Sequence, residues 1–256
     1  MDSSASNHLA YGSPEAVAFY AAYSEIPTPE QALFTSYADH LSGRVLDLGV
    51  GGGRTTAVLA PTAAHYVGID YVPALIDAAR QRCLGVDLRV GDARDLSDFG
   101  DDSFDAVVFS FNGMDYVPHE DRAQVLREVR RVLAPDGVFV FSTHNLDVEQ
   151  PIKAPRLSRP RLRRSWLRSA VRFPATAMRH RRMQRQQQYG DGWALLNDEG
   201  HDYQLLTHYT TQARQQQELA ESGLEVECCL AHDANPAPAM DRVSYCLHYA
   251  ARPSVT

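Results

Sequence analysis

Ten residues, Val45-Leu46-Asp47-Leu48-Gly49-Val50-Gly51-Gly52-Gly53-Arg54, constrain this chain most. They read as a short buried strand that runs straight into a glycine loop, with a helix from about Arg54 to Leu59 and Pro61 as its stop. Glycines after a strand leave backbone N–H groups bare, so a ligand can approach where a Cβ would block it. Many nucleotide-binding folds use such a turn, and the residues downstream of it, with their spacing, decide among them.

Tyr66-Val67-Gly68-Ile69-Asp70 is a second strand ending in an acid, a position from which an α/β fold accepts both hydroxyls of a ribose. Pro73 opens a helix to about Leu84. Asp87 to Val90 is a third strand that ends in Gly91-Asp92-Ala93. Phe104 to Ser110 is a fourth, nearly continuous in apolar residues, as a strand buried on both faces should be. A helix from about His119 to Leu133 puts Val125, Leu126, Val129 and Val132 on one side. Ala134-Pro135-Asp136-Gly137 has turn chemistry, and Val138 to Thr143 is the fifth strand.

Before this core, Ser13-Pro14-Glu15 starts one helix, and Glu30 to about Leu41 forms another. After it, the alternation stops. Lys153 to Arg185 holds twelve of the chain's 25 basic residues and no acid. Helical pieces are expected between Trp166 and Gln188, and a strand from Asp202 to Tyr209 is expected to form a hairpin with Trp193 to Leu196. Thr211 to Ser222 is a helix, and Leu224 to Leu230 and Ser244 to Ala251 are two closing strands.

Composition excludes some classes. The chain has no run of eighteen apolar residues, so no membrane partner is expected. Met1 to Ser13 lacks the order of a signal peptide. Cys83, Cys228, Cys229 and Cys246 show no CxxC spacing; they read as reduced thiols of a cytoplasmic protein, with no metal site. The glycine loop lacks GK[ST], which excludes a P-loop, and the sixth position of a dinucleotide fingerprint counted from Gly49 is Arg54 rather than glycine.

At this point the sequence resembles the class I S-adenosylmethionine-dependent methyltransferases. The matching residues are Asp47 to Gly53, Asp70, Gly91-Asp92-Ala93, Phe104 to Val107 and Leu133 to Gly137. The resemblance implies a doubly wound, mostly parallel, seven-stranded α/β sheet with a helical or irregular insertion after the fifth strand. It divides the chain into capping helices (1–42), a cofactor-binding core (43–148), an Arg-rich insertion or lid (149–210) and a closing helix and strands (211–256).

It also implies S-adenosyl-L-methionine as cofactor and S-adenosyl-L-homocysteine as product. Gly49, Gly51 and Gly53 would lie under the methionine and ribose, Asp47 near the methionine amino group, Asp70 with its neighbour Tyr71 at the ribose, and Asp92 and Ala93 at the adenine. Asn112 would make a further cofactor contact.

Of Tyr11, Tyr20 and Tyr23, which an aromatic–sulfonium contact would favour, Tyr11 is chosen as the ring that closes over the cofactor. Asp115, Tyr116 and His119 follow the fourth strand, and His144 and Asn145 the fifth. His144 and His119 are the candidate catalytic groups, because neutral imidazole takes a proton near pH 7. Tyr116, Asn145, His201 and Tyr209 are the candidate acceptor contacts.

The expected function is methyl transfer to nitrogen or oxygen of a small molecule, an anionic one included, by a monomer or homodimer. An RNA methyltransferase using the arginine tract and a non-catalytic scaffold are the alternatives. The tract carries few aromatics for base stacking, which argues against nucleic acid.

Overall fold

A computed structural model describes residues 10–148, 155 and 164–254. Two helices, α1 (Pro14–Ala22) and α2 (Thr28–Ser36), and the short α3 (Ala38–Leu41) precede the sheet. Ser13 caps α1 by accepting from the Ala16 N–H, with Pro14 at the first position, as its sequence requires. The single helix expected to Leu41 is broken at Tyr37 into α2 and α3.

The core then alternates β1 (Arg44–Leu48), α4 (Thr56–Leu59), β2 (His65–Asp70), α5 (Pro73–Arg82), β3 (Asp87–Val90), β4 (Phe104–Phe109), α6 (Arg122–Val132) and β5 (Leu133–Asn145). The insertion supplies α7 (Arg164–Gln184) and three short strands, β6 (Gln188–Gly190), β7 (Trp193–Leu196) and β8 (Thr207–Thr210). α8 (Gln212–Glu221), β9 (Leu224–Leu230) and β10 (Cys246–Pro253) close the chain.

Strands β3-β2-β1-β4-β5 are parallel neighbours; β10 runs antiparallel beside β5, and β9 beside β10. These are the seven expected strands. Sheet residues alternate between two cores. Leu46, Leu48, Val107 and Phe109 pack with Val125, Val129 and Leu219 on one face. Val45, Ala106, Val108 and Val140 pack with Leu33, Phe34, Ile76 and Ala79 on the other.

Two departures matter for the site. The turn Ala134 to Gly137 does not precede β5 but bulges out of it. Phe104 pairs with Leu133 and Ala106 with Val138, so the partner strand advances two residues while β5 spends five. And β5 outlasts β4. Its last residues pair with β8 on the side that β4 vacates, His144 facing Cys246 on one side and Tyr209 on the other. The expected hairpin of β7 with β8 is present, and it brings the described sheet to ten strands. The strand expected from Asp202 is shorter, because Asp202 and Tyr203 adopt left-handed backbone in a 3-10 turn, Gly200–Tyr203. No described helix is long and apolar enough to cross a membrane.

Candidate active site

The site grows out of the carboxyl ends of β1, β2 and β4, where an open parallel sheet exposes strand ends that no neighbour covers. Gly51 takes left-handed backbone (φ +54°), which aims its N–H at the Asp70 carboxylate, 2.9 Å away. A Cβ on Gly52 would stand 2.3 Å from the Tyr20 carbonyl oxygen, so α1 lies directly on bare loop backbone. The other Asp70 oxygen accepts from the Val72 N–H at 2.9 Å. One carboxylate thus ties the β1 loop to the β2 loop.

Beside it opens a cavity of about 1070 Å³, its mouth included. Gly49, Gly51, Asp70 and Tyr71 form one stretch of its wall, and Asp92, Ala93, Val117 and Pro118 another. Tyr11 is buried against this wall, its ring centroid 5.7 Å from Tyr20, 6.4 Å from Tyr71 and 5.3 Å from Tyr116. Asp92 holds Arg94 through both carboxylate oxygens, and Arg94 reaches on to Asp121 at 2.7 Å. Burial opposes ionisation of Asp92, but the Arg94 hydrogen bonds win and hold it below the usual carboxylate range.

A cofactor with a ribose, an aromatic base and a cationic sulfur fits what is here. Gly49, Gly51 and Gly52 put loop backbone on the wall, two carboxylates stand there, and five tyrosines line it, with rings suited to a flat base or a cation.

Three expected cofactor contacts are not on the wall. Asp47 is fully buried behind the loop, where one oxygen accepts from Thr55 Oγ1 (2.5 Å) and Tyr66 OH (2.6 Å) and the other has no partner. Gly53 faces α5, where a Cβ would meet Ala79 at 3.3 Å. Asn112 turns its amide to Cys246 Sγ (3.1 Å) and His144 Nε2 (3.4 Å).

Burial pushes the Asp47 carboxyl up to about 6, against the pull of the Thr55 and Tyr66 hydroxyls. The folded chain therefore holds this proton more tightly than the unfolded one. Its contribution is intact below pH ~4 and is lost as pH rises through ~6, by about 3 kcal/mol. Asp47→Asn, which cannot ionise, should gain stability relative to the parent over that window in urea unfolding at pH 4 and pH 7. A parent-to-variant difference that is flat with pH would contradict this.

A second polar cluster lies behind Asn112. His144 Nδ1 donates to Asp115 Oδ2 at 2.7 Å, and the same oxygen accepts the His144 backbone N–H at 2.6 Å. Asp115 is buried, which raises its pKa against the pull of His144 and Arg122. Tyr209 packs on His144, with ring centroids 4.9 Å apart, and donates to Asp198 Oδ2 at 2.7 Å.

His119 stacks on Trp193 (3.6 Å between centroids) and shares a 3.1 Å hydrogen bond with His208. Burial lowers the pKa of both imidazoles. Neither His119, His144 nor Tyr209 lines the cavity; among the expected acceptor contacts, Tyr116 does. Asn145 spends its amide on the Asp241 (2.6 Å) and Ser244 (3.0 Å) carbonyls, which locks β5 to the loop before β10. The His201 side chain lies outside the described residues. The described wall runs from Tyr11 to Pro118 and takes no residue from the 149–210 segment that the sequence reads as an insertion or lid.

One group escaped the sequence reading. Arg54 forms a buried fork with Glu30 (2.7 and 3.1 Å), both groups bond Ser110 Oγ, and the guanidinium lies over the Phe111 ring at 5.2 Å. Phe111 and Asn112 both have left-handed backbone (φ +53° and +59°). For a bulky residue such as Phe111 this costs ~1–3 kcal/mol and persists only where surroundings impose it. No sequence spacing signals it; the only hint was an arginine directly after the glycines with no acid close by in the chain.

The fold and this site define a Rossmann-like protein with a nucleotide-type cavity at its strand ends. Comparison narrows the class. Residues 45–137 match the family model described as a methyltransferase domain. The chain is 41% identical over 106 residues to a demethylmenaquinone methyltransferase of Clavibacter sepedonicus, covering 39% of this chain and 42% of that protein. It is 35% identical over 111 residues to a ubiquinone biosynthesis O-methyltransferase of Xanthomonas oryzae pv. oryzae, covering 42% of this chain and 45% of that protein. The match thus spans less than half the length of these relatives. In fold it is similar to the CcbJ methyltransferase of Streptomyces caelestis, with a TM-score of 0.63 and 18% identity over 93% of this chain and 96% of that one. Residues 45–137 thus carry the match to a methyltransferase domain, and the chain as a whole shares the fold of S-adenosylmethionine-dependent methyltransferases.

Proposed function

We propose that the protein transfers a methyl group from S-adenosylmethionine to a small molecule whose reacting atom is the oxygen or nitrogen of a ring substituent. The observation that carries this is the joint position of Gly51, Asp70, Tyr71, Asp92 and Ala93 on one cavity wall. The names of the relatives support a quinone-like acceptor, and they include methyltransferases to carbon as well as oxygen. A relative in fold, a didemethyltoxoflavin N1-methyltransferase of Burkholderia thailandensis, is described with S-adenosylhomocysteine bound; it is 16% identical over 89% of this chain and 78% of that one, with a TM-score of 0.55.

When bound, the cofactor supplies an already activated methyl group. The chain's own work is placement. Asp70 would accept the ribose hydroxyls alongside the bonds it takes from Gly51 and Val72, the loop from Gly49 to Gly52 would lie against the amino-acid tail, and Asp92 and Ala93 would hold the base. Tyr11 would cover the cofactor from the N-terminal side. His144 stands off the wall, behind Asn112. There, with its Nδ1–H fixed by Asp115, its Nε2 faces Asn112 and it positions the β4 loop.

The test is transfer of labelled methyl from S-adenosylmethionine to a naphthoquinol or a catechol. We expect turnover with at least one of them. In His144→Ala we expect turnover to fall at least ten-fold, with S-adenosylhomocysteine affinity within two-fold of the parent. Tight cofactor binding without transfer to any ring acceptor would favour the scaffold alternative. Unchanged turnover in the variant would reduce His144 to packing.

A further inference from the structure

We propose that Tyr23 and Phe111 on the cavity wall, with Phe19 stacked on Tyr23 and the Arg54 guanidinium against the Phe111 ring, are the seat of the methyl acceptor, and that this seat takes a planar aromatic ring bearing a hydroxyl group. The inference rests on the methyltransferase reading and adds to it the place and shape of the second substrate.

Location comes first. Tyr23, Arg54, Ser110 and Phe111 line the cavity beside the glycine loop, at the carboxyl ends of β1 and β4. In the methyltransferase reading, the wall formed by Asp70, Asp92 and Ala93 is committed to ribose and base, and the loop from Gly49 to Gly52 to the amino-acid tail. What remains for an acceptor is the end flanked by Tyr23, Arg54, Ser110 and Phe111.

The second observation is exposure. Phe111, on the wall, is 37% exposed, and Phe19, which stacks on the wall residue Tyr23, is 53% exposed, whereas Tyr11 and Phe109 are buried and the other rings of the wall half-buried. The half-buried Tyr23 joins the two exposed rings. Phe19 stacks on it with centroids 5.6 Å apart and planes at 14°, and Phe111 lies 5.1 Å from it, tilted by 39°. Flat faces in succession at an entrance favour a flat guest, because offset stacking needs a second plane at van der Waals distance.

The third is strain. The β4 loop holds Phe111 in left-handed backbone, which keeps its ring out at the mouth rather than in the core. The loop is pinned on either side, Gly113 N–H to the Ser110 carbonyl at 3.1 Å and Asn112 N–H to Ser142 Oγ at 2.9 Å. Strain imposed on an exposed aromatic at a cavity entrance points to a ligand contact.

The fourth concerns charge. The terminal nitrogens of Arg54 spend their hydrogens on the Glu25 carbonyl, both Glu30 oxygens and Ser110 Oγ. Its Nε–H has no bond to any described residue. A cation at the inner edge of the seat, with one donor left, suits an electron-rich ring and a hydroxyl oxygen that accepts.

The test is calorimetric titration of the S-adenosylhomocysteine-saturated protein with 2-naphthol and with decahydro-2-naphthol, which has the same skeleton but is not flat. We expect 2-naphthol to bind and its saturated counterpart to bind at least five-fold more weakly. Phe111→Gly, which suits the left-handed position, and Phe19→Ala, on the surface, should each weaken 2-naphthol at least three-fold. The affinity for S-adenosylhomocysteine should move less than two-fold. No binding of 2-naphthol, equal binding of the two alcohols, or unchanged affinity in both variants would overturn the proposal. So would a dimer in light scattering that Phe19→Ala dissociates, since a second copy would then cover the rings. If S-adenosylhomocysteine itself does not bind, the methyltransferase reading fails, and the acceptor seat falls with it.

Discussion

Asp70→Ala should weaken S-adenosylhomocysteine binding at least 100-fold, the largest loss of affinity expected from any single change in the cavity wall. Two effects add. On the proposed reading, the carboxylate accepts both ribose hydroxyls, and hydrogen bonds to a charged group are worth about 1.5–3 kcal/mol each. It also holds Gly51 and Val72 by their N–H groups, so its loss frees the glycine loop that the ligand rests on. A hundred-fold loss is about 2.7 kcal/mol, less than the sum of these terms. Asp70→Asn is the informative companion. It keeps one acceptor oxygen but brings N–H donors towards Gly51 or Val72, and it should lie between parent and alanine variant. Calorimetry on folded samples reads both. An alanine variant that binds as the parent does would place the ribose elsewhere.

Arg122→Met should cost about 3–5 kcal/mol of folding stability, the range for breaking a buried ion pair from one side. Arg122 is among the largest fully buried side chains. It donates to the Met114 carbonyl (2.8 Å), Gln215 (2.9 Å) and Glu218 (3.2 Å), and stands 3.6 Å from Asp115. Methionine fills much of the volume but takes one cation from both buried carboxylates, leaving Glu218 with Arg214 (3.3 Å) and Asp115 with His144 (2.7 Å) alone. The midpoint of urea unfolding should fall with an unchanged slope. Adding Glu218→Gln should recover part of the loss, because it removes one of the under-compensated buried charges. Equal midpoints for parent and Arg122→Met would show that water or a rearranged partner compensates.

These two residues mark the limit of the sequence reading. Asp70 was legible because strand periodicity places it at the end of β2, and because a strand-end acid after a glycine loop has few other uses. Its two backbone contacts tie it to the loops at that strand end. The resemblance put Asp47 near the cofactor's amino group, but the strand's alternation turns it to the far side of the loop, onto Thr55 and Tyr66. A residue two positions before a glycine turn can face either way, and only the partner residues decide.

Arg122 was invisible. It reads as one more charged residue at a helix start, and nothing local shows that α8 will bring Glu218 and Gln215 to it. Arg54 with Glu30 is the same case. Each is a buried charge whose partner arrives through tertiary packing.

The core strands were legible for a simple reason. Apolar runs bounded by Gly, Pro and Asp need only local rules. β8 needed more. That it fills the place beside β5 which β4 leaves empty depends on β5 being four residues longer than its neighbour at that end, and strand ends are the least local feature of a sheet. His144 was therefore expected in the acceptor's path, whereas β8 closes that row and seats Tyr209 against it.

The central claim is that the glycine loop, Asp70 and Asp92 form a site for the methyl-donor cofactor. The most direct measurement is calorimetric titration of the purified protein with S-adenosylhomocysteine, with NAD as the control. The account predicts one site of micromolar affinity, about −8 kcal/mol, and no heat from NAD. A folded sample that binds NAD and not S-adenosylhomocysteine, or that binds neither, would contradict it.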